Sequence, residues 1–182
     1  MPSHVAQVHQ VVIFVVPDDA LQGDPPPVGP GRPLTDRHLA SASDHVRRNA
    51  RALADNVTAI IVIGDKAATF LKGSLVAHHS AIRHAAIRLH TESDQIEWEC
   101  ATAFTIASTG KADDPIWYQP GAPDNPFYTG PPFVAERGTD TRYRARSSTT
   151  TADANGQQYK VTINVGGRDV DPDYVCGSPP PP

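Results

Sequence analysis

Histidines in the middle of the chain are the residues whose type most directly suggests chemistry. Half of the eight histidines fall within thirteen residues, namely His78, His79, His84 and His90. Neutral imidazole is the commonest metal ligand, so these four are the candidate metal ligands. No two of them lie four residues apart, the spacing that places two ligands on one face of a zinc-binding helix. The pattern therefore favours a solvated connection between two halves of the chain, with a metal site as the weaker alternative.

Acidic residues follow two apolar runs that we expect to be parallel strands. Asp18 and Asp19 follow the first run, and Asp65 and Lys66 follow the second. Open α/β sheets bind ligands at the carboxyl ends of their strands, where these side chains could hold Mg²⁺ and a phosphate or perform acid–base catalysis. They are the candidate catalytic residues of a small enzyme or a nucleotide-binding domain. The plainer interpretation, a turn and a helix cap, is favoured.

Arginines and aromatic residues in the last third are candidate contacts for a partner. Three arginines alternate along one predicted strand and so project from one face. This arrangement suits phosphate or an acidic partner, although such runs most often keep an exposed sheet from aggregating. A proline-rich loop from Trp117 to Phe133 carries aromatic residues that could anchor an interface or cover the core. The candidate binding residues are Trp117, Tyr118, Phe127, Tyr128, Arg142, Arg144 and Arg146.

The elements that must position these residues begin with a strand–helix–strand pattern. The apolar run from Val8 to Val16 is typical of a strand buried on both faces. A proline-rich loop at 23–33 follows, and helical spacing then predicts a helix from Thr35 to about Asp55. The β-branched run from Val57 to Ile63 predicts a second strand, with a longer helix as the alternative, and a short helical pattern continues through Leu71. Two strands joined in this way should pair in parallel.

From Ala85 onward the hydrophobic period changes to two, which predicts strands with one face on a core. In the clearest strand, this face is formed by alternate residues from Ile96 to Ile106. Two further alternating strands, 142–150 and 157–165, flank Asn155-Gly156 and predict an antiparallel hairpin. The predicted fold class is α+β, with a small α/β portion at 1–80, an antiparallel β-sandwich at 84–176 and a proline-rich tail at 177–182.

Short features of the second half are shared with a known class of module. They are Trp98 in an early strand, Pro126-Phe127 in a long loop, and the closing segments Tyr159-Lys160-Val161 and Asp171-Pro172-Asp173. With these features, residues 85–176 resemble the small immunoglobulin-like or cupredoxin-like β-sandwich modules of bacterial proteins. The resemblance implies a fold rather than an activity, because such sandwiches host many unrelated functions.

The copper site of some cupredoxin-like proteins does not carry over to this chain. Such a site needs two histidines and a thiolate, usually with an axial methionine. No histidine lies beyond His90, and the only methionine is Met1. We therefore expect no cofactor. Cys100 and Cys176 could form one disulfide, but two buried reduced thiols are favoured.

The composition and the motifs that the sequence lacks make several classes of function improbable. A formal net charge of −4 gives no general attraction to nucleic acid or to a membrane. The run Val11 to Val16 is too short to span a bilayer and follows no basic segment, so we expect a soluble cytoplasmic protein without a leader. Phosphate-loop, dinucleotide-binding and zinc-protease motifs are missing from the sequence. The leading prediction is a non-enzymatic protein-binding or self-assembly module whose partner is another protein or a second copy.

Overall fold

A computed structural model describes residues 4–15, 59–63, 68–72, 74–77, 83–113, 115, 117–170 and 173–177. These residues form strands and one short 3₁₀ turn, Ala152–Ala154. The strands are β1 (Val8–Val15), β2 (Ala59–Ile63), β3 (Ala68–Lys72), β4 (Ser74–Ala77), β5 (Arg83–Leu89), β6 (Gln95–Cys100), β7 (Phe104–Lys111), β8 (Phe133–Val134), β9 (Glu136–Arg137), β10 (Tyr143–Arg146), β11 (Gln158–Val165), β12 (Arg168–Val170) and β13 (Asp173–Cys176).

Within the described residues, the strands form two sheets. The first has the order β3-β2-β1-β6-β10-β9, and the second has the order β4-β5-β13-β11-β7-β8, with β12 paired to β11. Both sheets are mixed, because β1 runs parallel to β2 and β6 and β13 runs parallel to β5. Apolar residues from both sheets share one core. The arrangement is therefore two layers of β-sheet around a common interior.

The predicted α+β class is wrong, because the part of the chain that the structure describes is all-β. The segment through Leu71, for which a helical pattern was predicted, is strand β3, paired antiparallel with β2. The predicted helix from Thr35 to Asp55 lies outside the described residues. The predicted antiparallel sandwich is also corrected, since both sheets contain parallel pairs. In the second half, hydrophobic period located β6, β7, β10 and β11 but did not give all their bounds or show which strands pair.

Strand β1 confirms two predictions made from its apolar run. Its register with β2 is parallel and joins Val15 to Ile63. Three consecutive residues, Val11, Val12 and Ile13, are at most 3% exposed, so both faces of the strand are covered there. The run at Ala59–Ile63 is a strand, as its β-branched residues predicted.

Consecutive strands repeatedly change sheets, and this corrects the predicted hairpin. Strand β10 pairs with β6 in the first sheet, whereas β11 pairs with β7 in the second. Residues 147–157 connect β10 to β11 and include the 3₁₀ turn, a connection much longer than a two-residue hairpin loop. The same change of sheet separates β6 from β7, where the exposed residues 101–103 interrupt the single strand that the sequence predicted.

The core confirms most of the predicted inward faces. Ile96, Trp98 and Cys100 of β6 and Phe104 and Ile106 of β7 are each at most 4% exposed. Thr102, predicted on the same face, is instead exposed in the bend between the strands. The alternate residues of β11 are also buried, namely Tyr159, Val161, Ile163 and Val165.

Both cysteines are buried and free in the described structure. Burial raises the pKa of the Cys100 thiol and of the Cys176 thiol, which disfavours the reactive thiolate at neutral pH. The arrangement agrees with the prediction of two buried reduced thiols.

Two pairs of consecutive strands lie at the edges of the sheets. Strands β3 and β4 lie at edges of different sheets, and so do β8 and β9. The division at residue 80 stays a prediction, but β1 of the N-terminal part is paired with β6 of the C-terminal part. No helix among the described residues has the length and apolar character that crossing a bilayer requires.

Candidate functional site

Asp94, the residue immediately before β6, is the centre of a polar cluster in the described residues. It is only 2% exposed. Its Oδ1 atom accepts hydrogen bonds from His4 Nε2 at 2.7 Å and from the Gln7 backbone at 3.1 Å. Its Oδ2 atom accepts from His9 Nε2 at 2.8 Å and from the His90 backbone at 2.9 Å. A buried carboxylate thus joins the N-terminal segment to the turn that precedes β6.

The Asp94 carboxyl is held in its charged form. Burial by itself raises its pKa, but the hydrogen bonds from His9, His90, His4 and Gln7 outweigh burial and lower the pKa from 3.8 to about 2. An ionised carboxylate can only accept, so both histidine Nε2 atoms must carry a proton and donate it. The cluster is therefore a set of charge-assisted hydrogen bonds.

The side chains near Asp94 include a serine and histidines, but they do not form a nucleophilic triad. The His4 and His90 rings stack with centroids 4.0 Å apart and an interplanar angle of 9°. Ser93 Oγ lies 3.4 Å from His90 Nδ1 and 3.4 Å from Asp94 Oδ1. In a triad, the acid orients the histidine ring that activates the serine. Here Asp94 holds the backbone of His90, not its ring, so the required order of contacts is not formed.

The described residues also hold no group of three or more histidine, cysteine or acidic side chains arranged for a metal ion. A single ion cannot lie in the planes of two parallel imidazoles such as His4 and His90. His90 is exposed, as predicted for the outer face. The side chain of His84, together with His78 and His79, lies outside the described residues. The metal hypothesis for these four histidines stays a prediction.

Sequence reasoning missed His4, His9 and Asp94. The contacts that join them separate the partners by 85 to 90 positions in the chain. The only local signal was Asp94 itself, which lies in the polar segment 91–95 that was predicted to turn the chain between two strands, and aspartate is an ordinary turn residue. The cluster therefore depends on the parallel pairing of β1 with β6, which brings His9 opposite Ile96.

The predicted arginine stripe exists, but acidic partners lie across from it. In the register of β10 and β6, Arg144 faces Glu99 and Arg146 faces Glu97. Arg144 Nη2 lies 2.5 Å from Glu99 Oε2, and Arg146 Nε lies 3.7 Å from Glu97 Oε2. Arg142 is also paired with Glu99. The face is a cross-strand ladder of opposite charges, not a uniformly basic surface for phosphate.

Asp140 and Gln10 extend this ladder. Arg144 bonds both oxygens of Asp140, at 3.0 and 2.6 Å, and the hydrogen bond from Arg144 lowers the pKa of Asp140 to about 2. On the other side, Gln10 Nε2 donates to Glu97 Oε1 at 3.0 Å. The outer face of β1, β6 and β10 therefore neutralises its own charges.

The four aromatic candidates of the long loop divide into two pairs. Trp117 and Phe127 are 7% and 3% exposed, whereas Tyr118 and Tyr128 are each 58% exposed. The Arg88 guanidinium lies 4.8 Å from the centre of a Trp117 ring, a cation–π distance. The loop therefore does both things that the sequence left open, since one pair covers the core and the other faces solvent.

Phe127 packs into the core through a second aromatic residue. Its ring meets Phe133 edge-on, with centroids 5.4 Å apart and an angle of 89°. Phe133 in turn stacks near Trp98, with centroids 6.1 Å apart. The aromatic contacts fix the second half of the loop against the two sheets.

Hydrogen bonds from the start of β11 fix the first half of the loop. The Gln158 backbone donates to the Trp117 carbonyl at 2.9 Å. Gln157 Oε1 accepts from the Gln119 backbone at 3.0 Å. The Tyr159 hydroxyl donates to the Pro123 carbonyl at 3.0 Å. Because each anchor comes from a buried residue, the loop is held rigidly despite its length.

A polar surface cleft of about 370 Å³ opens between this loop and the 3₁₀ turn. Its volume falls in the range of small-ligand sites. Gly121, at its rim, has φ of +80°, a conformation that glycine adopts without strain. The cleft is lined by Gln119, Pro120, Gly121, Ala152, Asp153 and Asn155.

The predicted catalytic residues Asp18, Asp19, Asp65 and Lys66 lie outside the described residues. The strands that precede them do end together, since Val15 is paired with Ile63. This parallel pairing agrees with the hypothesis, but the described residues do not form the open α/β sheet that it also assumed, and the roles of the four side chains stay a prediction.

Comparison with known proteins adds no relative to this picture: no protein-family model matches the chain, and neither the curated proteins nor the solved structures contain a significant match.

Proposed function

We propose that this chain is a non-enzymatic protein-binding module that contacts another protein, or a second copy of itself, through the exposed part of the 117–133 loop. The observation that carries the proposal is the exposure of Tyr118 and Tyr128, each 58%, on a loop whose other two aromatic candidates are buried. Tyrosine is enriched at protein interfaces because it combines a large apolar surface with a polar end.

Rigid anchoring of the loop supports this role. Binding costs free energy whenever it orders mobile side chains or loops. Tyr118 lies between Trp117 and Gln119, both held by hydrogen bonds. The Tyr128 backbone donates to the Thr149 carbonyl at 3.1 Å. Both tyrosines are therefore presented on backbone that is already ordered before a partner arrives.

The arginine face contributes less to this proposal than the loop does. Arg142, Arg144 and Arg146 remain candidate contacts, but each is paired with a glutamate of β6. A partner would have to displace or share these pairs. Charges of this kind affect the orientation and rate of association more than its strength.

The proposal is tested on self-association first, by light scattering across a concentration series. We expect the mass of the wild-type chain to rise with concentration and the double variant Tyr118→Ala/Tyr128→Ala to stay at the mass of one chain. The matched control is Tyr118→Phe/Tyr128→Phe, which retains both rings and should retain association.

A wild-type chain that keeps the mass of a single copy up to millimolar concentration would exclude a second copy as the partner. Association that persists unchanged in the double alanine variant would contradict the role of the two tyrosines. Circular dichroism of each variant establishes that the fold is intact, which the exposure of both side chains leads us to expect.

A further inference from the structure

Asn155-Gly156 is the one asparagine–glycine pair in the sequence. The backbone nitrogen that follows an asparagine can attack the side-chain amide carbon, and glycine hinders this attack least because it has no Cβ atom. The other four asparagines precede alanine, valine or proline. Proline has no backbone N–H, and valine is branched at Cβ. Asn155 is therefore the asparagine that its own neighbour best disposes to deamidation.

This reaction consumes water and no other reagent. The Gly156 nitrogen loses its proton to solvent base and forms a bond with Cγ of Asn155, while the side-chain nitrogen gains a proton and leaves as ammonia. The cyclic imide then takes up one water molecule and opens at one of its two carbonyl groups. One opening gives aspartate, and the other gives isoaspartate, whose main chain is one carbon atom longer.

In the fold, the attacking nitrogen of Gly156 is already engaged in a hydrogen bond. It donates to the Cys176 carbonyl at 2.8 Å, and Gly156 is buried although Asn155 is exposed. A buried N–H in a hydrogen bond reaches solvent base only when the structure opens locally. Asn155 also has φ of −61° and ψ of 131°. In this extended conformation its Cβ atom and the Gly156 nitrogen are not eclipsed about the Cα–C bond, as the five-membered imide requires.

The acceptor of this hydrogen bond belongs to β13, the last strand that the structure describes. Strand β13 lies inside its sheet, between β5 and β11. The Cys176 backbone N–H donates in turn to the Gln157 carbonyl at 3.1 Å. The next residue, Gly177, lies against the Asn155 side chain, since a Cβ atom at position 177 would be 1.6 Å from Asn155 Oδ1. The end of β13 thus contacts both reacting groups, and its detachment frees them together.

From this arrangement we propose that Asn155-Gly156 is a deamidation site that the end of β13 protects in the native fold and exposes when it detaches. The ammonia is lost, so each conversion is a lasting record of one detachment. Isoaspartate lengthens the main chain between the 3₁₀ turn and β11, so the hydrogen bonds of Gly156 and Gln157 with Cys176 cannot both form again. The inference goes beyond the proposed binding function, because the exposed tyrosines of the loop take no part in it.

Mass spectrometry of the full chain, incubated at pH 8 in water enriched in ¹⁸O, measures the reaction. Trypsin cuts after Arg146 and Lys160 and releases the peptide 147–160, in which Asn155 is the one asparagine. The same peptide, made synthetically, is the unfolded reference because it lacks the contact with Cys176. We expect Asn155 to convert at least about tenfold more slowly in the folded chain, since only the small open fraction reacts. Equal rates would overturn the inference.

Gly177→Ala and Gly167→Ala separate detachment of β13 from unfolding of the whole chain. Both place alanine at a positive φ, +69° and +76° respectively, which destabilises each site. The new Cβ atom collides with Asn155 at position 177 but meets nothing within 4 Å at position 167. We expect Gly177→Ala to accelerate deamidation at least about threefold and Gly167→Ala to leave the rate unchanged. Equal acceleration in both variants, or none in Gly177→Ala, would overturn the assignment to β13.

Amide hydrogen exchange tests the same contact without a substitution. In the ¹⁵N-labelled chain, the Gly156 amide should exchange at least about tenfold more slowly than in the peptide 147–160, and by about the same factor as deamidation is slowed. Exchange as fast as in the peptide would overturn the protective role of the Cys176 carbonyl. Loss of association in the tyrosine variants bears on neither rate, so this inference and the proposed function fail separately.

Discussion

At the scale of single residues, Asp94 is the side chain whose environment differs most from what its position in the sequence suggested. It follows a surface turn, yet it is buried and accepts hydrogen bonds from two histidine rings and two backbone amides. Since a buried carboxylate without such partners would be protonated, these donors are what keep it charged. Through hydrogen bonds to its Oδ1 atom, Asp94 holds His4 and Gln7 against the rest of the fold.

We expect Asp94→Asn to lower the free energy of unfolding by about 2–3 kcal/mol, because hydrogen bonds to a charged group become weaker and an amide NH₂ replaces one acceptor. Urea denaturation measures the change. The control Asp113→Asn, on an exposed pair with Lys160, should change stability by less than about 1 kcal/mol. A loss below that value in Asp94→Asn would show that the cluster contributes little to folding.

The free energy of unfolding of the wild type should also depend on pH through the ionisation of the Asp94 carboxyl. Its pKa is about 2 in the fold and 3.8 as the ordinary value, so its contribution is fully present above about pH 4 and is lost as the pH falls through 2. The difference corresponds to about 2 kcal/mol. Denaturant titrations at pH 5 and pH 2.5 should differ by less in Asp94→Asn than in the wild type, and equal differences would contradict this assignment.

At the scale of elements, the 117–133 loop shows how neighbouring residues divide between structure and contact. Trp117 and Phe127 are buried, and Tyr118 and Tyr128, each the next residue in the chain, are exposed. The sequence offers no periodicity in this segment from which the division could be predicted, because the loop has no repeating backbone geometry. The anchors supplied by β11 to Trp117 and the packing of Phe127 on Phe133 decide which rings point inward.

Phe127→Ala should destabilise the protein by about 3–5 kcal/mol, because it removes a buried ring that packs on Phe133. Tyr128→Ala should change the free energy of unfolding by no more than about 0.5–1 kcal/mol, since its ring is mostly in solvent and its hydroxyl makes only a 3.4 Å contact with Glu92. Thermal or urea unfolding compares the two variants. Similar losses in both would mean that Tyr128 is part of the core rather than an available contact.

At the scale of the whole molecule, both sheets contribute to one hydrophobic core. Val11 and Ile13 of β1 are buried together with Ile163 and Val165 of β11, although about 150 residues separate them in the chain. Strand β1 also lies inside its sheet, between β2 and β6. A separate N-terminal unit would not share its interior in this way.

Ile13→Ala is therefore expected to destabilise the entire fold by about 2–5 kcal/mol and to leave one cooperative transition. Tryptophan fluorescence reports on Trp98 and Trp117 in the C-terminal part, and far-ultraviolet circular dichroism reports on all strands. Both probes should shift to the same lower denaturant midpoint. A tryptophan transition that stays at the wild-type midpoint would support independent domains divided near residue 80.

The sequence by itself determined where the main strands of the second half lie and which of their faces are buried, although it did not determine where each strand ends. Ile96, Trp98 and Cys100 alternate with polar residues, and the same holds from Tyr159 to Val165, because a pleated strand sends successive side chains to opposite faces. The apolar run of β1 likewise indicated burial on both faces. These properties depend on local backbone geometry alone.

Only the tertiary structure decided which strands pair and which polar residues meet. Every residue type except proline offers the same backbone donor and acceptor, so alternation could not show that β10 and β11 belong to different sheets. The contacts of His4 and His9 with Asp94 could not be predicted for the same reason, because they follow from the pairing of β1 with β6. Contacts between residues 85 or more positions apart leave no local pattern in a single sequence.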